Sequence, residues 1–163
     1  RFICKVGVYT FKLSRLGDRL GALSDLTVLR RLTPADVDLL TATIVTRSES
    51  AQQLVVLMES TGTSEVVVLD EHSAYCGMVP SDDLRAALVY REAIPLVQVT
   101  ELQRSDLPTV SADETLDIVL DKFSRSDVQS LVVLDEKDKI IGLITRSTLM
   151  KRYQAALDQD ASQ

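Results

Sequence analysis

The nineteen residues VVVLDEHSAYCGMVPSDDL, beginning at Val66, are written a second time as LVVLDEKDKIIGLITRSTL, beginning at Leu131. A constant offset of 65 residues lays 43–84 over 108–149 without a gap. Identities fall at Val45/Val110, Glu49/Glu114, Val67/Val132, Val68/Val133, Leu69/Leu134, Asp70/Asp135, Glu71/Glu136, Gly77/Gly142 and Leu84/Leu149. Other pairs, such as Met58/Phe123, Met78/Leu143 and Val79/Ile144, keep their apolar character. A fixed period of this kind constrains the fold more than any local propensity, because both copies must be read as one supersecondary unit.

Each copy reads in the same order. A short β-favouring piece, TIVT or PTVS, precedes an amphipathic helix; in the second copy Leu116, Val119, Leu120 and Phe123 fall at helical spacing. EVVVL and SLVVL are continuous apolar runs rich in β-branched residues, the pattern of a strand buried on both faces. The turns DEHSA and DEKDK lead to a third strand around Gly77 or Gly142, and a second helix starts at Ser81 or near Ser147. The unit is β-α-β-β-α. Three strands and two helices cannot cover both faces of their own sheet, so the two units are expected to pack sheet to sheet. Before the first copy, Asp25 and Thr33 are candidate helix caps, and VTELQRSDLP looks like the second copy's version of LTPADVDLLT.

Composition excludes several function classes. With 163 residues, 45% of them hydrophobic, the chain can build a real core, and its net charge of -6 argues against a nucleic-acid surface. Two cysteines, Cys4 and Cys76, suggest neither a disulfide framework nor a Cys-based metal site, and a reducing compartment fits them. The one histidine, His72, lies in a polar turn without a partner at metal-binding or catalytic spacing. No run approaches the roughly eighteen apolar residues that span a bilayer. The chain starts at Arg1 rather than Met, and its first nineteen residues carry Arg1, Lys5, Lys12, Arg15 and Arg19 against Asp18 alone. It therefore reads as part of something longer, and the basic opening suits either a segment just inside a membrane or a solvated linker.

The doubled β-α-β-β-α unit, with its Asp-Glu turn, a glycine after an apolar strand and a polar helix start in GLITRSTL and GMVPSDDL, resembles a tandem pair of CBS domains, or Bateman module, over roughly residues 32–157. The resemblance implies an α/β fold of two pseudo-symmetric units packed sheet to sheet, and a regulatory, non-catalytic role with adenosine nucleotides bound in clefts. It divides the chain into a membrane-proximal extended or helical linker (1–31), one CBS unit (32–92), a second (93–157) and a tail (158–163). A narrower resemblance lies in VYTFKLSRLG, residues 8–17, which is similar to the linker between the last membrane helix of CLC chloride channels or chloride/proton antiporters and their cytoplasmic CBS pair. The implied partners are a transmembrane domain of the same polypeptide, a second copy in a homodimer and an adenine nucleotide, on the cytoplasmic side of a membrane. No cofactor is required, and AMP, ADP or ATP would be ligands.

The family's ligand motif places a Ser or Thr three positions before an Asp where the last strand turns into the second helix. A helix amino terminus offers free N–H groups to phosphate, and a carboxylate accepts from the ribose hydroxyls. Neither copy is complete: the first keeps Asp83 but has Pro80 for the Ser or Thr, and the second keeps Thr145 but has Thr148 for the acid. The resemblance therefore assigns the ribose to Asp83, the phosphate path to Ser81, and the surrounding walls to Val79, Thr109, Val128 and Gln129. Asp82 opposes phosphate, which favours adenosine or AMP over ATP. The same residues also make an ordinary helix start, with Ser81 as cap and Asp82 and Asp83 in the first turn. Arg146 suits an anion contact or a plain surface charge.

The leading expectation is a regulatory and dimer-stabilising module of a CLC-type transporter. The alternative is a soluble adenylate-sensing module serving an enzyme or another transporter, such as one for magnesium. An enzyme in its own right lacks a nucleophile beside a base and a phosphate-binding G-x-G-x-x-G. Apolar stripes in LRAALV and TLMKRYQAAL are expected to be left over for a symmetric partner.

Overall fold

The computed structural model describes residues 22–63 and 65–163. The basic opening, Cys4, and the stretch 8–17 with its transporter-like linker lie outside the described residues. The elements in chain order are α1 (Ala22–Leu29), a 3-10 turn (Pro34–Asp36), β1 (Ile44–Thr46), α2 (Ala51–Thr61), β2 (Val66–Leu69), β3 (Tyr75–Val79), α3 (Ser81–Leu88), a second 3-10 turn (Ile94–Leu96), α4 (Val99–Leu102), β4 (Val110–Ser111), α5 (Leu116–Arg125), β5 (Ser130–Leu134), β6 (Ile140–Thr145) and α6 (Arg146–Ala161). Each copy thus folds as the β-α-β-β-α unit its sequence specifies. Asp25 falls inside α1 and is no cap, because the helix has already begun at Ala22.

Among the described residues there are two three-stranded sheets, ordered β1-β2-β3 and β4-β5-β6. β1 runs parallel to β2, and β4 to β5, as a crossover through one helix requires; β3 returns antiparallel beside β2. The runs EVVVL and SLVVL form the central strands, and Val66, Val67, Val68, Leu131, Val132 and Val133 are all fully buried. Burial on both faces is what removes alternation from their sequence.

By contacts the chain forms two compact units. One comprises residues 40–111 and 131–143, the other 22–39, 112–130 and 144–163. In the first, Val45, Leu54, Val66, Val68, Val79, Leu84 and Val99 make one apolar cluster under α2, α3 and α4. In the second, α1 packs against α5 and α6, and Leu116, Val119, Phe123, Leu149, Tyr153, Ala156 and Leu157 are buried. The stripe of TLMKRYQAAL is therefore covered by helices of its own chain rather than left for a partner.

These divisions cut across the sequence because each copy's lead-in segment pairs with the other copy. The Leu32 carbonyl accepts from the Leu116 amide at 2.9 Å, and 65 residues on, the Val97 carbonyl accepts from the Ala51 amide at 2.8 Å. Leu40 exchanges two backbone bonds with Leu143, both 2.9 Å, and Arg104 exchanges two with Met78, at 2.7 and 3.1 Å. Matching side-chain bonds shape the lead-ins: the Thr33 amide donates to Asp36 Oδ2 at 2.9 Å and the Gln98 amide to Glu101 Oε2 at 2.8 Å. Thr33 is thus at a cap position, as its sequence suggests. The structural repeat starts at Leu32 and Val97, earlier than the identities reveal.

The repeated glycine and aspartate have structural reasons. A Cβ on Gly77 would lie 2.8 Å from the Arg104 carbonyl oxygen and 3.2 Å from its carbon, so only glycine admits the exchanged backbone here. Asp70 Oδ1 accepts from the His72 and Ala74 amides at 2.8 and 2.9 Å, and Asp135 Oδ1 from the Lys137 and Lys139 amides at the same distances. Each carboxylate closes a hairpin whose left-handed residue, Ser73 (φ 63°) or Asp138 (φ 58°), again lies 65 residues from its counterpart. His72 is an exposed turn residue.

Two outcomes are expected. Gly77→Ala should destabilise the fold by about 1–3 kcal/mol through overpacking against backbone, read as a lower urea midpoint. The amides of Ala74 and His72 hold the Asp70 carboxyl below the usual carboxylate range, and those of Lys139 and Lys137 do the same for Asp135. A depressed carboxyl stabilises the fold above its unfolded pKa and loses that contribution as pH falls through the folded value. Urea midpoints should therefore fall below about pH 4, and less steeply in Asp135→Asn; equal slopes would contradict the turn's role.

Candidate functional site

Of the residues singled out by sequence, Val79, Ser81 and Asp83 sit where β3 gives way to α3, and Thr145, Arg146 and Thr148 where β6 gives way to α6. In the first copy Val79 ends β3 and is fully buried, Pro80 occupies the cap position of α3, and Ser81 is the first helical residue. Ser81 is therefore not the cap, and Pro80 supplies no side-chain bond to the helix amino terminus. Proline has no side-chain acceptor, so among the described residues no side chain caps the first N–H groups of α3. Asp83 is half-buried, and among the described residues its carboxylate makes no hydrogen bond or ion pair. Thr109 is half-buried in the same unit, one residue before β4. Val128, buried, and Gln129, exposed, lie in the α5–β5 loop of the other unit.

Acids gather at the start of α3, where the exposed Asp82 lies 3.9 Å from the Arg85 guanidinium. Burial, and secondarily the charge of Asp82, pushes the Glu65 carboxyl above its ordinary range. Glu65 stands just before β2, so its carboxyl joins Asp82 and Asp83 in giving the α3 start a negative character that offsets the helix dipole. A ligand there would meet hydrogen-bond acceptors more readily than phosphate-binding cations. Burial likewise pushes the Cys76 thiol up, withholding the thiolate that a nucleophilic cysteine needs.

The second copy is built differently. Thr145 caps α6: its hydroxyl accepts from the Thr148 amide at 3.0 Å, and its own amide donates to Thr148 Oγ1 at 3.1 Å. Thr148, standing where the family has an acid, is thus occupied in a reciprocal cap. Arg146 is not a surface charge. Its Nε donates to the Val128 carbonyl at 3.1 Å, its Nη2 to the Ser126 carbonyl at 3.0 Å and to the Phe123 carbonyl, and the guanidinium lies 5.4 Å from the Phe123 ring centroid. The Arg146 amide reaches the Gln129 carbonyl at 3.1 Å. Sequence reasoning missed this because the carbonyls it serves are contributed by backbone some twenty residues away. The available signal was the lack of a glycine after α5. Ser130, at the start of β5, is buried, with its hydroxyl unpartnered among the described residues.

Among the described residues no group of three or more His, Cys, Asp and Glu is arranged to hold a metal ion, and no helix is long and apolar enough to cross a membrane.

The sequence matches the CBS domain family over residues 37–90 and again over 99–155, most of its length, and the chain belongs to that family. It is a tandem CBS pair. An uncharacterised protein of Methanocaldococcus jannaschii is 35% identical over 54 residues, 33% of this chain and 18% of that protein, so the chain spans under a fifth of that relative's length. Among solved structures, a CBS domain protein of Streptococcus pneumoniae superposes with a TM-score of 0.67 at 22% identity, over 83% of this chain and 95% of its own. CbpB, solved in complex with c-di-AMP, superposes with a TM-score of 0.64 at 18% identity, over 86% of this chain and 96% of its own. Identities this low establish a shared fold.

The acidic start of α3 can be checked directly. In a carboxyl NMR titration Glu65 should have a midpoint above that of an ordinary glutamate, and Asp82→Asn should lower it. A midpoint indifferent to Asp82 would separate the two groups.

Proposed function

We propose that this CBS pair is a regulatory module that senses an adenosine ligand through its first copy, with Asp83 accepting from the ribose hydroxyls. The observation that carries this reading is the asymmetry of the two helix starts. Asp83 is half-buried and uncommitted among the described residues, whereas Thr145 and Thr148 are consumed by capping. Val79 and Ser81 precede Asp83 by four and two residues, and Thr109 shares its unit. Support comes from the fold shared with CbpB, whose structure holds an adenine-containing dinucleotide. Because Glu65 and Asp82 make the α3 start acidic, adenosine or AMP is preferred to ADP and ATP, whose added phosphates would meet like charge.

The parent protein is proposed to be a CLC-type chloride channel or antiporter, on the strength of residues 8–17, with the pair on the cytoplasmic side of the membrane. A second copy would find its apolar contact on the first copy, where Val56, Val89, Tyr90 and Leu96 are 60%, 76%, 73% and 84% exposed. A ligand regulates such an assembly only by binding two arrangements unequally.

Calorimetric titration of the chain with AMP, ADP and ATP tests the reading. AMP should bind more tightly than ATP. Hydrogen bonds to a charged group contribute about 1.5–3 kcal/mol each, so Asp83→Ala should weaken AMP by tenfold or more. Asp82→Asn should narrow the gap between AMP and ATP. No heat with any of the three nucleotides would overturn the nucleotide reading and leave PSDDL as a helix start.

A further inference from the structure

The two copies end the same helix by different means. In the first, α2 ends on Gly62 in the left-handed conformation (φ 66°), whose amide donates to the Met58 carbonyl at 2.9 Å. The hydroxyls of Ser60 and Thr61 donate to the Leu57 carbonyl at 2.9 and 2.7 Å. That helix end is satisfied from within its own segment. In the second copy the position of Gly62 is taken by Asp127, and α5 ends on Ser126 in an extended conformation. The Lys122 carbonyl still accepts from the Ser126 amide, but the carbonyls of Phe123 and of the cap residue Ser126 receive their donors from Arg146, the first residue of α6. The counterpart of Arg146 in the first copy is Ser81, too short to reach such a distance.

We propose that Arg146 is the positioning residue of the second copy's α5–β5 loop, a bolt that ties the carboxyl end of α5, the loop 126–129 and the amino end of α6 into one rigid piece. The geometry asks for arginine specifically. One planar guanidinium serves three carbonyls and lies against the Phe123 ring, while its charge faces the negative end of the α5 dipole. A lysine ammonium retains the charge but cannot span the same set. Val128 and Gln129 are thereby held in one geometry, whereas among the described residues no such side-chain tie joins the first copy's loop to its second helix. The pair is then divided into a locked copy and one whose helix start remains open.

Amide hydrogen exchange on the full chain without nucleotide, in wild type, Arg146→Met and Arg146→Lys, tests the bolt independently of any ligand. Both substitutions should accelerate exchange of the amides at 124–130 by at least tenfold, leaving β2 and β3 of the first copy as protected as in wild type. Unchanged protection of 124–130 in Arg146→Lys, which retains charge and stem and guards against a misfolded Arg146→Met, would overturn the proposal. So would acceleration spread evenly over the chain, since that marks general loss of stability. A failure of AMP to bind wild type would strike the nucleotide reading and leave this result standing.

Discussion

Two backbone exchanges tie the two copies together among the described residues. Leu40 pairs with Leu143 and Arg104 with Met78, so a residue ahead of each copy completes hydrogen bonds on the last strand of the other. An edge strand left with unpaired N–H and C=O groups is a liability. Here the same repeat that creates two such edges also supplies two segments to meet them. The price is room for backbone beside backbone, and glycine at position 77 is its visible consequence. The lead-in hydrogen bonds from Leu116 to Leu32 and from Ala51 to Val97 carry the exchange further, onto the first residue of each copy's first helix.

On this symmetric frame the two copies diverge at the point where chemistry would occur. Pro80 leaves the first copy's second helix without a side-chain cap and with Asp82, Asp83 and Glu65 near its start; Asp82 lies near Arg85, while among the described residues Asp83 is uncommitted. Thr145 and Thr148 close the corresponding end in the second copy, and Arg146 spends its donors on the loop before β5. A ligand that needs unspent polar groups finds them in the first copy. Divergence of this kind turns a duplicated fold into an asymmetric device without altering its strands or their order.

Most of the architecture was legible because the repeat makes every element testable twice. Helix α5 announces itself by spacing, and the central strands by unbroken β-branched runs. The Asp-Glu turns are legible as turns, although their Asx bonds and left-handed residues require coordinates. The errors share one cause. Asp25 as cap, Ser81 as cap, Arg146 as surface charge and the last helix's stripe as a dimer face were all judged from neighbours in sequence. Each was decided by where the chain begins to turn or by what packs against it from far away. Arg146 illustrates this best, since the carbonyls of Phe123, Ser126 and Val128 are invisible to any reading of side-chain types.

By itself the sequence determined the duplication, the β-α-β-β-α order, membership of the CBS family and the broken ligand motifs, because periodicity and residue identity are local properties that survive without coordinates. Only the tertiary structure decided which polar groups remain unspent. A threonine, an arginine and an aspartate have the same hydrogen-bonding inventory wherever they occur. Whether that inventory is directed at the chain's own backbone or left available depends on distances set by packing between residues far apart in sequence, and that is what separates Asp83 from Thr148 and Arg146.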